Sequence, residues 1–182
     1  FCASKKIRVV ADECFLRFHP HYEKMSCKRF LKQYPNLLIV NAFTKFYAMA
    51  GLRLGYLMTG DLSLLHAVAQ QLPEWNVSSI AQRAGISALQ DTEYEKRTRQ
   101  LIEKERRYLI QEFLKMGCTV FPSEADYITF RLPQEKTGFL LKERLLEGKI
   151  LIRSCANYRN MPPDCYRIAV KQHADNEELV RQ

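Results

Sequence analysis

An α/β unit followed by a smaller α+β unit is the fold class that the sequence predicts. Three observations point to it. Residues 7–11, 37–40 and 54–58 read as short strands, and the run over 37–40 has no alternation, as in a strand covered on both faces. Helical patterns stand between and after them. Past Gly117 the pattern changes to a mixture of short strands and helices.

The elements follow in order. Residues 7–11 read as a buried strand that ends on Asp12, and residues 22–33 as a helix closed by Pro35. Residues 37–40 and 54–58 read as the second and third strands, the third bounded by Gly55 and Gly60. Asp61 is a candidate cap for a helix over residues 62–71, which Pro73 stops. Ser79 and Gln82 predict a capping box for a helix reaching Leu89, and Thr92 and Glu95 predict another. The second box opens a helix over residues 92–116, closed by Gly117. At about 25 residues it would span roughly 37 Å, long enough for a strut between two lobes. Beyond it, residues 119–121, 127–131, 150–153 and 166–170 read as strands. Residues 138–147 and 175–181 read as helices. The expected division is 1–95 and 96–182, with the boundary inside the long helix.

Composition narrows the function classes. The 182 residues are 47% hydrophobic and 26% charged, ordinary for a globular chain. The chain opens on Phe1 without a signal-peptide pattern, and no apolar run approaches the roughly 20 residues of a membrane span. We expect an internal piece of a larger soluble, cytoplasmic protein with no membrane partner. The six cysteines form no C-x-x-C pair and are expected to be reduced thiols. His19, His21 and Cys27 read as surface loop in preference to a zinc site, and no metal is expected. The net charge of +8 invites a nucleic-acid reading, but basic and acidic residues interleave over 93–107 as on a solvated helix face. No nucleic-acid partner is expected. Small anions such as phosphates and carboxylates suit the charge equally well.

One segment carries the chemistry. Thr44 and Lys45 follow a strand, and Arg53 comes eight residues after Lys45 across a Gly51-punctuated turn. Two cations near a sheet end call for an anion or an electrophile. A phosphorylated aldehyde cofactor supplies both: Lys45 would form an imine, and Arg53 would hold the phosphate through its planar fork. The alternative is a solvent-facing loop with two snorkelling cations. Asp12 ends the first strand, where open α/β sheets place ligand groups. Its carboxylate suits a protonated pyridine nitrogen; the alternative is an Asp that caps a turn.

The segment from Thr44 to Tyr56, with Asp12, Glu13, Cys14 and Phe15, resembles the class I/II aminotransferase family of fold-type I pyridoxal-phosphate (PLP) enzymes, especially its histidinol-phosphate aminotransferase group. The stretch Ile-Leu-Ile-Arg-Ser-Cys-Ala-Asn-Tyr at 150–158, followed by residues 166–170, is similar to the branch of that group that decarboxylates threonine phosphate. The resemblance covers essentially the whole chain. It implies that residues 1–95 are the C-terminal part of the PLP-binding large domain, mainly parallel sheet flanked by helices. Residues 96–182 would then be the connecting helix and the small α+β domain. It further implies roles for matching positions: Asp12 on the pyridine nitrogen, Lys45 as Schiff-base lysine and proton carrier, and Arg53 on the cofactor phosphate. Arg167 would bind the substrate carboxylate and Arg153 the substrate phosphate. An edge residue or a structural ion-pair partner is the alternative for Arg167.

The implied cofactor is pyridoxal 5′-phosphate and the implied substrate a small phosphorylated amino acid, in a homodimer when the enzyme is full length. The implied reaction is decarboxylation of L-threonine O-3-phosphate to (R)-1-amino-2-propanol O-2-phosphate, in cobalamin biosynthesis. Histidinol-phosphate-type transamination and an inactive truncated module are the alternatives. The chain departs from the family pattern twice. Ala42 stands three residues before Lys45 where a hydroxyl is usual, with Thr44 as the candidate substitute, and Phe15 stands where many relatives have Tyr. Each lost hydrogen bond is worth about 1 kcal/mol.

Overall fold

The computed structural model describes residues 1–136 and 140–182. The chain divides into two compact units, Phe1–Lys96 and Arg97–Gln182.

The first unit is built on a three-stranded sheet of β1 (Val9–Asp12), β2 (Leu37–Ala42) and β3 (Gly55–Thr59), in the order β1-β2-β3. β1 and β2 are parallel, and β3 is antiparallel to β2. The apolar run of β2 reflects its central place: Leu37, Leu38 and Ile39 are buried. The helix expected over residues 22–33 is broken. α1 covers only Tyr22–Met25, and a short 3-10 turn covers Cys27–Phe30. The cause is Glu13, a buried carboxylate whose oxygens accept from the Ser26 hydroxyl (2.8 Å) and the Cys27 backbone N–H (2.7 Å). That demand pulls Ser26 out of helical geometry to ψ 137°. Two helices follow, α2 (Leu62–Gln71) and α3 (Ser79–Gln90). Asp61 caps α2 by accepting from the Leu64 N–H at 3.0 Å. α3 is capped by Ser78, one residue before the expected Ser79, and Gln82 donates its side-chain amide to the Val77 carbonyl.

α4 (Thr92–Lys115) runs for 24 residues. Its expected Thr92–Glu95 capping box does not form. Asp91 accepts from the Tyr94 N–H (2.8 Å) in its place, which frees Glu95 for longer-range partners. Gly117, at φ +80°, closes the helix as expected, with the Cys118 N–H reaching back to the Phe113 carbonyl.

The second unit holds an antiparallel sheet of β4 (Thr119–Phe121), β5 (Tyr127–Arg131), β6 (Arg153–Ser154) and β7 (Cys165–Ala169), in the order β4-β5-β7-β6. Helices α5 (Leu141–Glu147) and α6 (His173–Arg181) accompany it. Of the helix expected over 138–147, Gly138 and Phe139 lie outside the described residues. The strand expected over 150–153 shrinks to Arg153–Ser154. Residues 149 and 150 are spent closing α5, with the Ile150 N–H bonded to the Leu145 carbonyl and Lys149 at φ +62°. The core gathers Leu109 and Phe113 of α4 with Ile128, Phe130, Tyr166 and Ile168 of the sheet. The Phe113 and Phe130 rings lie 4.3 Å apart.

A carboxylate of α4 lies inside this core. Glu105, 1% exposed, accepts from the Asn176 amide and meets the His173 ring nitrogen, each at 3.0 Å. Burial alone would raise its carboxyl, but the hydrogen bonds from Asn176 and His173 outweigh burial and hold it below its ordinary value.

Two outcomes follow. Because the folded state depresses the Glu105 carboxyl, its contribution is present above the unfolded value of 4.5 and is lost as pH falls through the folded value. Glu105→Gln therefore flattens the acid limb of stability, measured by urea unfolding at a series of pH values. Gly60 permits a close approach, since a Cβ there would lie 2.2 Å from the Leu31 carbonyl oxygen. Gly60→Ala is expected to cost about 1–3 kcal/mol in the same assay.

Candidate active site

Register brings the expected cofactor residues of the first unit to one end of its sheet. Asp12, the last residue of β1, stands opposite Val40 of β2. β2 ends at Ala42, which stands opposite Gly55, the first residue of β3. Thr44 and Lys45 leave the end of β2, and Arg53 enters β3 at that same end. Open α/β sheets bind ligands at the carboxyl ends of their strands.

Asp12 is exposed, and its Oδ1 accepts from the Cys14 backbone N–H at 3.0 Å. Hydrogen bonds from the Cys14 side chain and backbone hold this carboxyl below its ordinary value, so it is ionised at neutral pH. Burial, with the Asp12 carboxylate beside it, pushes the Cys14 thiol up to about 11.

Lys45 is exposed, with Nζ 5.7 Å above the centroid of the Phe15 ring. Phe15 thus offers the amine a ring face where a tyrosine would also offer a hydroxyl. The residues after Lys45 turn inward: Phe46 is 2% and Tyr47 7% exposed. Arg53 has a left-handed backbone (φ +53°), and its Nη1 reaches back to the Ala50 carbonyl at 3.3 Å. Thr44 lies half-buried in the turn with its hydroxyl unbonded among the described residues. Neither Lys45 nor Arg53 has a carboxylate partner among the described residues.

The second unit carries the other two expected residues. Tyr166 and Ile168 of β7 are buried and Arg167 between them is half-buried, so Arg167 lies on the opposite face. Arg153 of β6 is its direct cross-strand partner. Each guanidinium lies over a tyrosine ring, Arg153 at 5.1 Å from Tyr158 and Arg167 at 4.8 Å from Tyr127. Like charges directly opposite on a sheet repel. Among the described residues neither arginine has an ion-pair partner, whereas Arg131 is bound to Asp164 at 2.8 Å. An open cavity of about 590 Å³ is lined by Lys142, Arg153, Ser154 and Asn157 among others; Arg167 is not part of its lining.

Sequence reasoning missed the group that surrounds the lysine turn. Glu95 Oε1 accepts from Arg17 Nη1 (2.5 Å) and from the Tyr47 hydroxyl (2.6 Å). The spacing of Thr92 and Glu95 gave a local reading of Glu95, and no short-range pattern marks a partner 78 residues away.

The fold is shared with known proteins. Residues 1–182 match the family described as aminotransferase class I and II. The chain belongs to this family, whose enzymes depend on pyridoxal 5′-phosphate. It is 36% identical over 180 residues to a threonine-phosphate decarboxylase of Salmonella typhimurium, covering 98% of this chain and 48% of that protein. It is 32% identical over 176 residues to a histidinol-phosphate aminotransferase of Oleidesulfovibrio alaskensis, covering 96% and 45%. Among solved structures, the histidinol-phosphate aminotransferase of Clostridium acetobutylicum superposes with a TM-score of 0.91 at 32% identity, covering 99% of this chain and 54% of that one. The chain spans about half the length of the curated relatives it matches. Among the described residues, no helix is long and apolar enough to cross a membrane.

The raised Cys14 thiol gives a direct check. At pH 8 its alkylation by iodoacetamide is expected to run on the order of a hundredfold slower than that of a free cysteine. Asp12→Asn should return part of that rate, read by mass spectrometry of the Cys14 peptide.

Proposed function

We propose that the chain is the lysine-bearing part of a PLP-dependent enzyme that decarboxylates L-threonine O-3-phosphate to (R)-1-amino-2-propanol O-2-phosphate, a step of cobalamin biosynthesis. The observation that carries the cofactor reading is the convergence of Asp12, Lys45 and Arg53 on one sheet end. An anionic carboxylate, an amine and a guanidinium match a pyridine nitrogen, an aldehyde and a phosphate. Lys45 would hold the aldehyde carbon, Asp12 the ring nitrogen, and Arg53 with the Thr44 hydroxyl the phosphate. When bound, this cofactor supplies an electron sink for whichever α-carbon bond stands perpendicular to its ring.

The remaining work belongs to side chains. Asp12, kept ionised by Cys14, holds a proton on the ring nitrogen. Lys45 Nζ, once free, carries a proton to the substrate α-carbon. The facing pair Arg153 and Arg167 suits a substrate with two anionic groups, a phosphate and a carboxylate, which would relieve the repulsion between them. The decarboxylase reading rests on the similarity to the Salmonella protein and on the Arg-Ser-Cys-Ala-Asn-Tyr stretch that begins at Arg153. Transamination of the histidinol-phosphate type is the second reading, favoured by the likeness to the Clostridium structure. In the full-length protein we propose a cytoplasmic homodimer, with neither nucleic acid nor membrane as partner.

Product analysis separates the two reactions. Carbon dioxide release from threonine phosphate without 2-oxoglutarate supports decarboxylation; amino transfer that requires a keto acid overturns it. Lys45→Ala should lower turnover by on the order of 10²–10⁴-fold and abolish borohydride-trapped cofactor on the Lys45 peptide. Arg167→Ala should weaken substrate by roughly 10–100-fold, the value of hydrogen bonds to a charged group, read in KM.

A further inference from the structure

The turn that carries Lys45 has little internal support. The Ala48 N–H bonds to the Lys45 carbonyl at 3.0 Å, and the Met49 N–H reaches the Phe43 carbonyl at 3.3 Å. Ala48 is left-handed at φ +54°, a conformation that a non-glycine residue holds only when its surroundings impose it. Support comes from the first turn of α4, which grips the two residues that follow Lys45. The Tyr94 hydroxyl donates to the Phe46 carbonyl at 3.0 Å. One residue on, Glu95 Oε1 accepts from the Tyr47 hydroxyl at 2.6 Å and from Arg17 Nη1 at 2.5 Å. The Arg17 guanidinium lies 5.4 Å from the Tyr47 ring centroid and 5.9 Å from that of Phe46. The Arg17 and Glu95 side chains are 16% and 14% exposed, so solvent screens the pair little.

We propose that Tyr94, Glu95 and Arg17 are positioning residues for Lys45. They fix the backbone on its C-terminal side, so that the amine is presented at the sheet end in one geometry. Phe46 and Tyr47 anchor the turn inward, and the clamp fixes how far and at what angle. The inference rests on the reading of Lys45 as the cofactor-bearing lysine. It differs from a structural ion pair in one respect: it requires the amine itself to change when the clamp is loosened.

The test uses the full-length protein with its cofactor and three variants. Tyr94→Phe removes one oxygen and keeps the ring packing. Glu95→Gln removes the charge but keeps an acceptor. Lys45→Ala tests the underlying reading. Two quantities are read: amide hydrogen exchange of residues 44–48, and the pH midpoint of the visible absorption band of the lysine-bound cofactor. Tyr94→Phe and Glu95→Gln are each expected to speed that exchange about five- to tenfold, the worth of one hydrogen bond. Each is also expected to move the pH midpoint, with cofactor still trapped on Lys45. If both variants keep the parent midpoint, even with a lower melting temperature, the clamp is structural only and the proposal is overturned. If Glu95→Gln does not fold, Tyr94→Phe decides alone. If Lys45→Ala still traps cofactor on another residue with the parent band, the reading of Lys45 fails, which is a separate result.

Discussion

Glu95 brings a full negative charge into a place where water is scarce, and two donors from distant parts of the first unit meet it on one oxygen. Such donors stabilise a carboxylate so placed, because a buried charge without partners costs several kcal/mol. Arg17 and Tyr47 are therefore constrained in position by it. Tyr47 in turn stacks on Phe43 at 5.1 Å and meets Phe46 edge-on at 5.2 Å, so the constraint spreads through the aromatic core beneath the lysine turn. Tyr47 is held strongly as a phenol, since burial raises its hydroxyl and the bond to Glu95 raises it further.

Positive charge is held in two ways. Arg17 and Arg131 are tied to carboxylates and serve the fold. Arg153 and Arg167 stand face to face across β6 and β7, each over a tyrosine ring and without an acid within reach among the described residues. The tyrosine faces offset part of the repulsion, and an anionic ligand would offset the rest. The same chemistry distinguishes Asp12 from Glu13 on neighbouring positions. Glu13 is buried and spent on Ser26 and Cys27, while Asp12 is exposed and ionised at the end of its strand.

Much of this was legible in the sequence. Apolar runs marked β1, β2 and β3, although β1, expected to be buried, alternates and leaves Val10 exposed, and the Asp61 cap, the Gly117 stop and the Lys45 segment were readable from residue type and spacing. What was not legible depended on partners far along the chain. The helix over 22–33 failed because Glu13 takes the Ser26 hydroxyl, a contact with no local signature. The capping box at Thr92 and Glu95 had the right spacing, but Asp91 supplied the cap and Glu95 found Arg17 instead. The strand over 150–153 was shortened by the chain closing α5 first. In each case a local rule gave way to a buried polar group or a helix end that had to be satisfied.

Asp91 ends α3 and, through the Tyr94 N–H, starts α4, so the two helices meet without a loop between them. This junction has no slack. One residue inserted or deleted there would turn everything after it by about 100° around the helix axis, carrying Tyr94 and Glu95 off the lysine turn. Length variation in the descendants of such a chain is free to accumulate in exposed turns, but at 90–92 the reading frame of the helix is also the alignment of the site.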